Sequence, residues 1–182
     1  VSDGGRGLKL KFKRIKSDET VSRVIRSKGG VEVEYSSIPA AARGIGSALS
    51  RLDGENRTPF STLGIMLDDS FCPTDSDFFA MYSNYVRRLA LAGCNFVMLY
   101  CEDTYEIEDE PAFGYMRGPY TIEEIRELDV YASRLGIELV GCIQTLGHLE
   151  QILQWPSFAN IKDTERVLLV DQPETYALIE KM

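Results

Sequence analysis

Asn95-Phe-Val-Met-Leu-Tyr-Cys-Glu-Asp103 is the stretch that decides the fold. Its apolar run shows no alternation and ends on two carboxylates, which is the pattern of a strand buried on both faces with a polar loop at its C-terminal end. Two further runs share that pattern, Leu63-Gly-Ile-Met-Leu67 upstream and Glu138-Leu-Val-Gly-Cys-Ile143 downstream. Between the first two, Thr74-Asp75-Ser76-Asp77 supplies capping residues for a helix that places Phe78, Tyr82, Tyr85, Val86 and Leu89 on one face and closes at Gly93. Between the second and third, Thr121 and Glu124 form a capping box, and Ile125, Leu128, Ala132 and Leu135 make the apolar stripe before Gly136. Apolar strands separated by amphipathic helices predict an α/β protein with a parallel sheet.

A doubly wound sheet and a (β/α)8 barrel both fit this order. The first strand is followed by Asp68-Asp69-Ser70-Phe71 rather than a glycine-rich phosphate loop, which lowers the dinucleotide-binding alternative and favours the barrel. A closed barrel takes roughly 250 residues, so the expectation is the first three β/α units of a TIM barrel. Beyond the third strand the sequence predicts a short helical stretch from Leu149 to Leu153, an extra strand from Arg166 to Val170 and a helix opening at Pro173-Glu174.

The N-terminal part reads differently. Leu8 to Ile15 alternates, Val31-Glu-Val-Glu-Tyr35 alternates after Gly29-Gly30, and Pro39 to Leu52 is Ala-rich with helical spacing. This predicts strand, strand, helix, part of a small α+β domain. Charge marks the same division, with a net +5 up to Arg57 and −13 after it. The turn-forming residues Asp53-Gly54-Glu55-Asn56 and Thr58-Pro59 place the boundary near residues 53–62. The expected organisation is residues 1–57 as the C-terminal part of the small domain and 58–182 as the N-terminal part of an incomplete barrel domain.

Composition narrows the functional classes. The chain has 182 residues, 44% hydrophobic and 26% charged, so it can bury a core. The basic run Lys9-Leu-Lys-Phe-Lys-Arg-Ile-Lys16 alternates with Leu8, Leu10 and Phe12, which favours the solvated face of a half-buried strand over a nucleic-acid patch. No apolar run reaches the ~18–20 residues of a membrane span. Cys72, Cys94, Cys101 and Cys142 form no CxxC pair and are joined by a single histidine, so no structural zinc site is expected. The chain opens on Val1 and stops inside a helical pattern, so it is expected to be a piece of a longer protein. Localisation is left open, the cytoplasm slightly favoured.

In a barrel, the loops after the C-terminal strand ends build the site. Those places hold Asp68 and Asp69, then Glu102, Asp103 and Tyr105, then Gln144, Thr145, His148 and Glu150. Carboxylates, an amide and an imidazole on one face can grip sugar hydroxyls through paired hydrogen bonds. Each has a plainer reading. Asp68 and Asp69 also suit a turn; the run from Glu102 to Glu110, six carboxylates in nine positions, also suits a solvated loop; and a lone histidine is often structural. Trp155-Pro156 suits loop packing better than sugar stacking.

Four segments in order, Gly64-Ile-Met-Leu-Asp68, Leu99-Tyr-Cys-Glu-Asp-Thr-Tyr-Glu-Ile107, Phe113-Gly-Tyr-Met-Arg-Gly118 and Cys142-Ile-Gln-Thr-Leu-Gly-His-Leu-Glu150, resemble the catalytic barrel of glycoside hydrolase family 20. The likeness is to its bacterial β-N-acetylglucosaminidase or hexosaminidase D-like branch, and it runs from about Phe60 to Met182. It implies an exo-acting β-N-acetylhexosaminidase, retaining and substrate-assisted, acting on N-acetylhexosamine-terminated glycans with no cofactor or metal. The substrate's acetamido oxygen attacks the anomeric carbon, an aspartate orients it, and the neighbouring glutamate is the acid-base. That Asp-Glu pair is expected beyond Met182, so none of these residues is assigned either role and the chain alone is expected to be inactive. His148 matches the family's Gly-His, a supporting position for the acid-base group. Glu102 and Asp103 match its Glu-Asp at the second strand end, expected to bind hydroxyls or support that group. One departure stands out: Phe71 occupies the position where many members carry an arginine gripping the outer hydroxyls. It keeps open a non-catalytic carbohydrate-binding homologue, beside a barrel enzyme of another class that uses a metal.

Overall fold

The computed structural model describes residues 7–70 and 78–182. The expected cap at Thr74–Asp77, and Phe71 and Cys72, lie outside the described residues. Two sheets form. The first has four strands in the order β1-β3-β2-β4, with β1 at Leu10–Arg14, β2 at Thr20–Ser27, β3 at Gly30–Tyr35 and β4 at Gly54–Thr58, and α1 at Ile38–Leu49 between β3 and β4. The second has three strands in sequence order, β5 at Gly64–Asp68, β6 at Phe96–Tyr100 and β7 at Glu138–Cys142, separated by α2 at Phe78–Ala92 and α3 at Ile122–Arg134. A four-residue helix α4 at Glu150–Leu153, a 3-10 helix at Pro156–Ile161 and α5 at Pro173–Lys181 follow. Among the described residues no helix is long and apolar enough to cross a membrane.

The chain divides into two compact units. One comprises the residues up to Ile65 with Ser83–Val97 and Tyr131–Glu138; the other comprises Met66–Tyr82, Met98–Val130 and Leu139–Met182.

In the first unit β3 pairs parallel with β1 and antiparallel with β2, and β2 pairs antiparallel with β4. Two of these strands differ from the sequence reading. Residues 20–27 were not expected as a strand, yet Val21 and Val24 of β2 are buried in it. Residues 54–58, expected as turn, form β4 because Gly54 to Thr58 lies opposite Val24 to Thr20 and completes the ladder. The alternating basic segment is an edge strand, paired on one side only, and Phe12 stays exposed, against the half-buried expectation. One register position carries alternating charge across all four strands: Lys13, Glu34, Arg23 and Glu55 stand opposite one another. The ion pairs along it measure 2.6, 2.6 and 2.5 Å. The Lys13 ammonium, with Arg23 beyond it, holds the Glu34 carboxyl below its ordinary range.

Helix α1 starts at Ser37, whose hydroxyl accepts from the amide of Ala40 at 3.3 Å, with Pro39 in the first turn. Ala48 joins Val24 and Val31 in a cluster that Leu10 covers. The opposite side of α1 meets the end of α2 at Gly46: a Cβ there would stand 2.1 Å from the carbonyl oxygen of Leu91, so only glycine permits the approach.

The second sheet is parallel. At one end Asn95 N donates to Leu63 O (2.8 Å) and Glu138 N to Asn95 O (2.9 Å); at the other Asp69 N donates to Tyr100 O (2.9 Å) and Cys101 N to Cys142 O (3.0 Å). All three strands therefore run the same way, in the order expected. Val97 and Leu99 of the central strand β6 are buried, whereas β5 leaves Ile65 and Met66 exposed, against the expectation of a strand buried on both faces. The capping box of α3 forms as read: Thr121 N donates to Glu124 Oε2 (2.8 Å) and Glu124 N to Thr121 Oγ1 (3.2 Å). On α2, Tyr82 and Val86 are buried but Tyr85 is exposed, against the expected stripe. The strand expected at 166–170 reduces to an isolated bridge between Lys162 and Leu168. Leu168 nevertheless enters a core with Phe113, Leu149, Ile152, Leu153, Phe158 and others, so the segment after β7 folds on side-chain burial rather than on a ladder.

Candidate functional site

The candidate residues lie at the C-terminal ends of β5, β6 and β7. Asp68 closes β5 and is exposed; its Oδ1 accepts from Ser70 N (3.0 Å) and Ser70 Oγ (2.6 Å), an Asx turn that ends the strand. Asp69 points into the interior, wholly buried, where its Oδ1 accepts from the hydroxyls of Tyr82 and Tyr120.

Glu102 follows β6 with φ at 43°, in the left-handed region, a sharp turn for a residue with a side chain. Such strain costs about 1–3 kcal/mol and persists only where the surroundings fix it. Here the fixing is visible. Glu102 N donates to Gln144 Oε1 at 3.1 Å, which ties the ends of β6 and β7. Thr104 donates both its amide and its hydroxyl to Cys101 O, at 2.8 and 2.7 Å. Tyr105 pairs with Tyr120 through a bridge, with Tyr120 N to Thr104 O and Glu106 N to Tyr120 O both 2.9 Å. The loop then returns: Gly114, with φ at 67°, packs so tightly that a Cβ would lie 2.6 Å from Asp103 O.

That return delivers Arg117, a residue not singled out among the site candidates. Its Nη2 donates to Ser70 O and lies 3.6 Å from Glu102 Oε2 and 3.5 Å from Asp103 Oδ1. Its signal in the sequence was adjacency: it sits in the quoted Phe113–Gly118 segment, whose contact with the strand ends no local pattern reveals.

Electrostatics follow from burial. Asp103 is only 2% exposed, and burial raises its carboxyl above the ordinary range while Arg117 pulls it back. Burial also raises Glu102, opposed by Arg117 and reinforced by Asp103, Glu150 and Asp68. Asp103 Oδ1 and the Tyr105 hydroxyl are buried polar atoms with no hydrogen-bond partner among the described residues. Burial holds the Tyr105 phenol well above its ordinary value, so it stays a donor. The Tyr105 ring packs edge-on against Phe113, centroids 5.1 Å apart.

The β7 end contributes less contact. Gln144 is half-buried and engaged; His148 is exposed, with φ at 59° and no hydrogen bond or ion pair among the described residues; Glu150 is exposed at the start of α4. Trp155 stacks edge-on with Tyr115 at 5.0 Å and packs against the second unit's core, so it holds a loop down, as the plainer reading had it. Cys101 is buried and its thiol pushed up to about 12 by burial, an inert state. Among the described residues no group of three or more His, Cys, Asp or Glu is arranged to hold a metal ion.

No protein-family model and no curated protein matches the chain by sequence. Solved structures do match its fold. N-acetyl-β-hexosaminidase from Streptomyces plicatus, solved in complex with Thio-NAglucal, aligns with a TM-score of 0.74 at 17% identity, over 94% of this chain and 43% of that one. The GH20 β-N-acetylhexosaminidase of Streptomyces coelicolor A3(2) gives 0.73 at 18%, over 94% and 44%. Flavobacterium johnsoniae chitobiase gives 0.74 at 20%, over 93% and 31%. Across nearly its whole length, the chain shares the fold of family 20 β-N-acetylhexosaminidases, spanning less than half the length of each of these structures.

Proposed function

We propose that the chain is part of an exo-acting β-N-acetylhexosaminidase that removes terminal N-acetylglucosamine or N-acetylgalactosamine by a substrate-assisted retaining mechanism. In this reading residues 58–182 are the first three units of a (β/α)8 catalytic barrel and residues 1–57 the tail of a small α+β domain, with β4 extending the small domain's sheet through Thr58. The observation that carries the reading is the set of ties at the strand ends: Gln144 to Glu102, and Arg117 to Ser70, Glu102 and Asp103.

The chemistry available there suits a sugar. Asp68, Glu102 and Glu150 present carboxylates that accept from hydroxyls. Gln144 uses its Oε1 on Glu102 N, which leaves its NH2 to donate outward. Asp103 Oδ1, which has Arg117 as its ion-pair neighbour, and the Tyr105 hydroxyl make no hydrogen bond among the described residues, and a buried polar atom left so gains most from a ligand group that reaches it. His148, at the third strand end, is assigned the role of orienting the acid-base carboxyl. The Asp-Glu pair that performs the chemistry is assigned to the part of the barrel outside these residues, since general acid catalysis needs a carboxyl within hydrogen-bond reach of the leaving oxygen.

The test compares this chain and the full-length protein on a chromogenic N-acetyl-β-glucosaminide and on the matching glucoside. The expected result is turnover of the N-acetylated substrate by the full-length protein alone. Turnover by the 182-residue chain would place the catalytic groups among the residues named here. Silence from the full-length protein, with N-acetylglucosamine still bound, would favour the carbohydrate-binding homologue.

A further inference from the structure

We propose that Arg117 is the positioning residue of this site: it locks the end of β5 to the end of β6 and keeps Glu102 and Asp103 presented as hydrogen-bond acceptors for the substrate's hydroxyls. The inference rests on the hexosaminidase reading and adds a residue that the resemblance did not assign.

The geometry makes the case. A single nitrogen, Nη2, serves Ser70 O on one strand end and stands 3.5–3.6 Å from two carboxylates on the next. Arg117 and Glu102 have side chains 19% exposed and Asp103 only 3%, so the cluster is largely removed from solvent screening. The loop that carries Arg117 is seated at a second point, Gly114 against Asp103 O, so the guanidinium arrives from a fixed base. Guanidinium is the right group for this place, because it stays charged and offers several donors in one plane.

Charge balance gives the residue its purpose. Around Glu102 stand Asp103 on the same loop, Asp68 at the end of β5, Glu150 at the start of α4 and the Tyr100 phenol on β6; beside Asp103 stands the Tyr105 phenol. Among these described groups Arg117 is the cation, opposing both burial and the neighbouring acids at Glu102 and Asp103. Without it both carboxyls take up protons at a higher pH and lose acceptor capacity.

The experiment measures affinity for N-acetylglucosamine against pH in the full-length protein, for wild type, Arg117→Met and Arg117→Lys, alongside KM and kcat on the chromogenic substrate. The Met variant is expected to raise KM more than it lowers kcat, and to move the acidic limb of binding up by about one pH unit. The Lys variant keeps a charge but not the planar fork, so it is expected to restore the limb without full affinity. A Met variant whose affinity drops by one constant factor at every pH, or does not drop, overturns the assignment. So does a loss that disappears on a deoxy analogue of the sugar, which would make Arg117 a direct ligand. If the Met variant fails to fold, the Lys variant and Glu102→Gln carry the test, since Gln at 102 must flatten the limb if Glu102 titrates there. Wild-type protein that neither binds nor hydrolyses the N-acetylated sugar would sink the hexosaminidase reading itself, a separate outcome.

Discussion

Tyr120 donates its hydroxyl to Asp69 Oδ1 at 2.9 Å, and Tyr82 donates to the same oxygen from α2. The two rings meet edge-on, centroids 6.3 Å apart. Adjacent aspartates thereby take opposite parts: Asp69 anchors the base of the 102–121 loop, while Asp68 faces outward. Tyr120→Phe removes one donor to a buried carboxylate, and about 1–2 kcal/mol of stability should go with it. Urea denaturation of the two proteins reads this directly. Asp68→Asn, at an exposed position, is expected to leave the urea midpoint in place, and an equal loss in both variants would contradict the division of roles.

Gly46 offers a test of the first unit that leaves the site untouched. A methyl group there would collide with Leu91 O at 2.1 Å, and the atoms it meets are all backbone of Leu91, which cannot swing aside as a side chain could. Gly46→Ala should cost about 1–3 kcal/mol, despite alanine's better helix propensity. Gly141→Ala is the control, since nothing stands within 4 Å of that position. Thermal unfolding should separate the two variants clearly.

The parallel strands, the Thr121–Glu124 box and the polar residues at the strand ends follow from period, capping chemistry and chain order, all local quantities. β2 and β4 were missed because Thr20 to Ser27 mixes buried and exposed residues without a clean period, and Gly54 to Thr58 carries turn-forming residues that the ladder with β2 overrides. At the site the sequence supplied the acids but not their division. Nothing at Asp68-Asp69 says which one meets Tyr82 and Tyr120, because those partners lie 13 and 51 residues away. Arg117 escaped for the same reason: its partners Ser70 and Glu102 are joined to it by the return of a loop.

Glu34 should give the first unit an acid-sensitive step. Lys13 and Arg23 hold its folded-state pKa below the unfolded value. The stabilisation is therefore present above the ordinary carboxylate range, about 4.3, and is lost as pH falls through the depressed folded value. The protection of β3 amides against hydrogen exchange, taken relative to the intrinsic rate at each pH, should fall below that range in the wild type. In Glu34→Gln the protection should be lower at neutral pH and change less on acidification. Parallel pH curves for the two proteins would remove the ion-pair ladder from any account of stability.

Asp103 should behave in the opposite sense, and this links stability to function in the second unit. Burial raises its folded-state pKa, and Arg117 only partly offsets that. Between the unfolded pKa and the raised folded one, the folded state binds more protons, so stability falls as pH rises through this window. Above the raised folded value the carboxylate is charged and costs stability; below the unfolded pKa that cost is gone. Asp103→Asn removes the charge at nearly constant volume, so at pH 7 it should unfold later than wild type, by about 1 kcal/mol. The advantage should shrink as the pH is lowered toward 4. Affinity for N-acetylglucosamine should fall in the same variant, because an amide offers one acceptor oxygen where the carboxylate offers two. A gain in stability together with a loss of binding is what a charge kept for ligand recognition produces. Destabilisation at every pH would mean instead that the Arg117–Asp103 pair outweighs burial, and that Asp103 belongs to the scaffold.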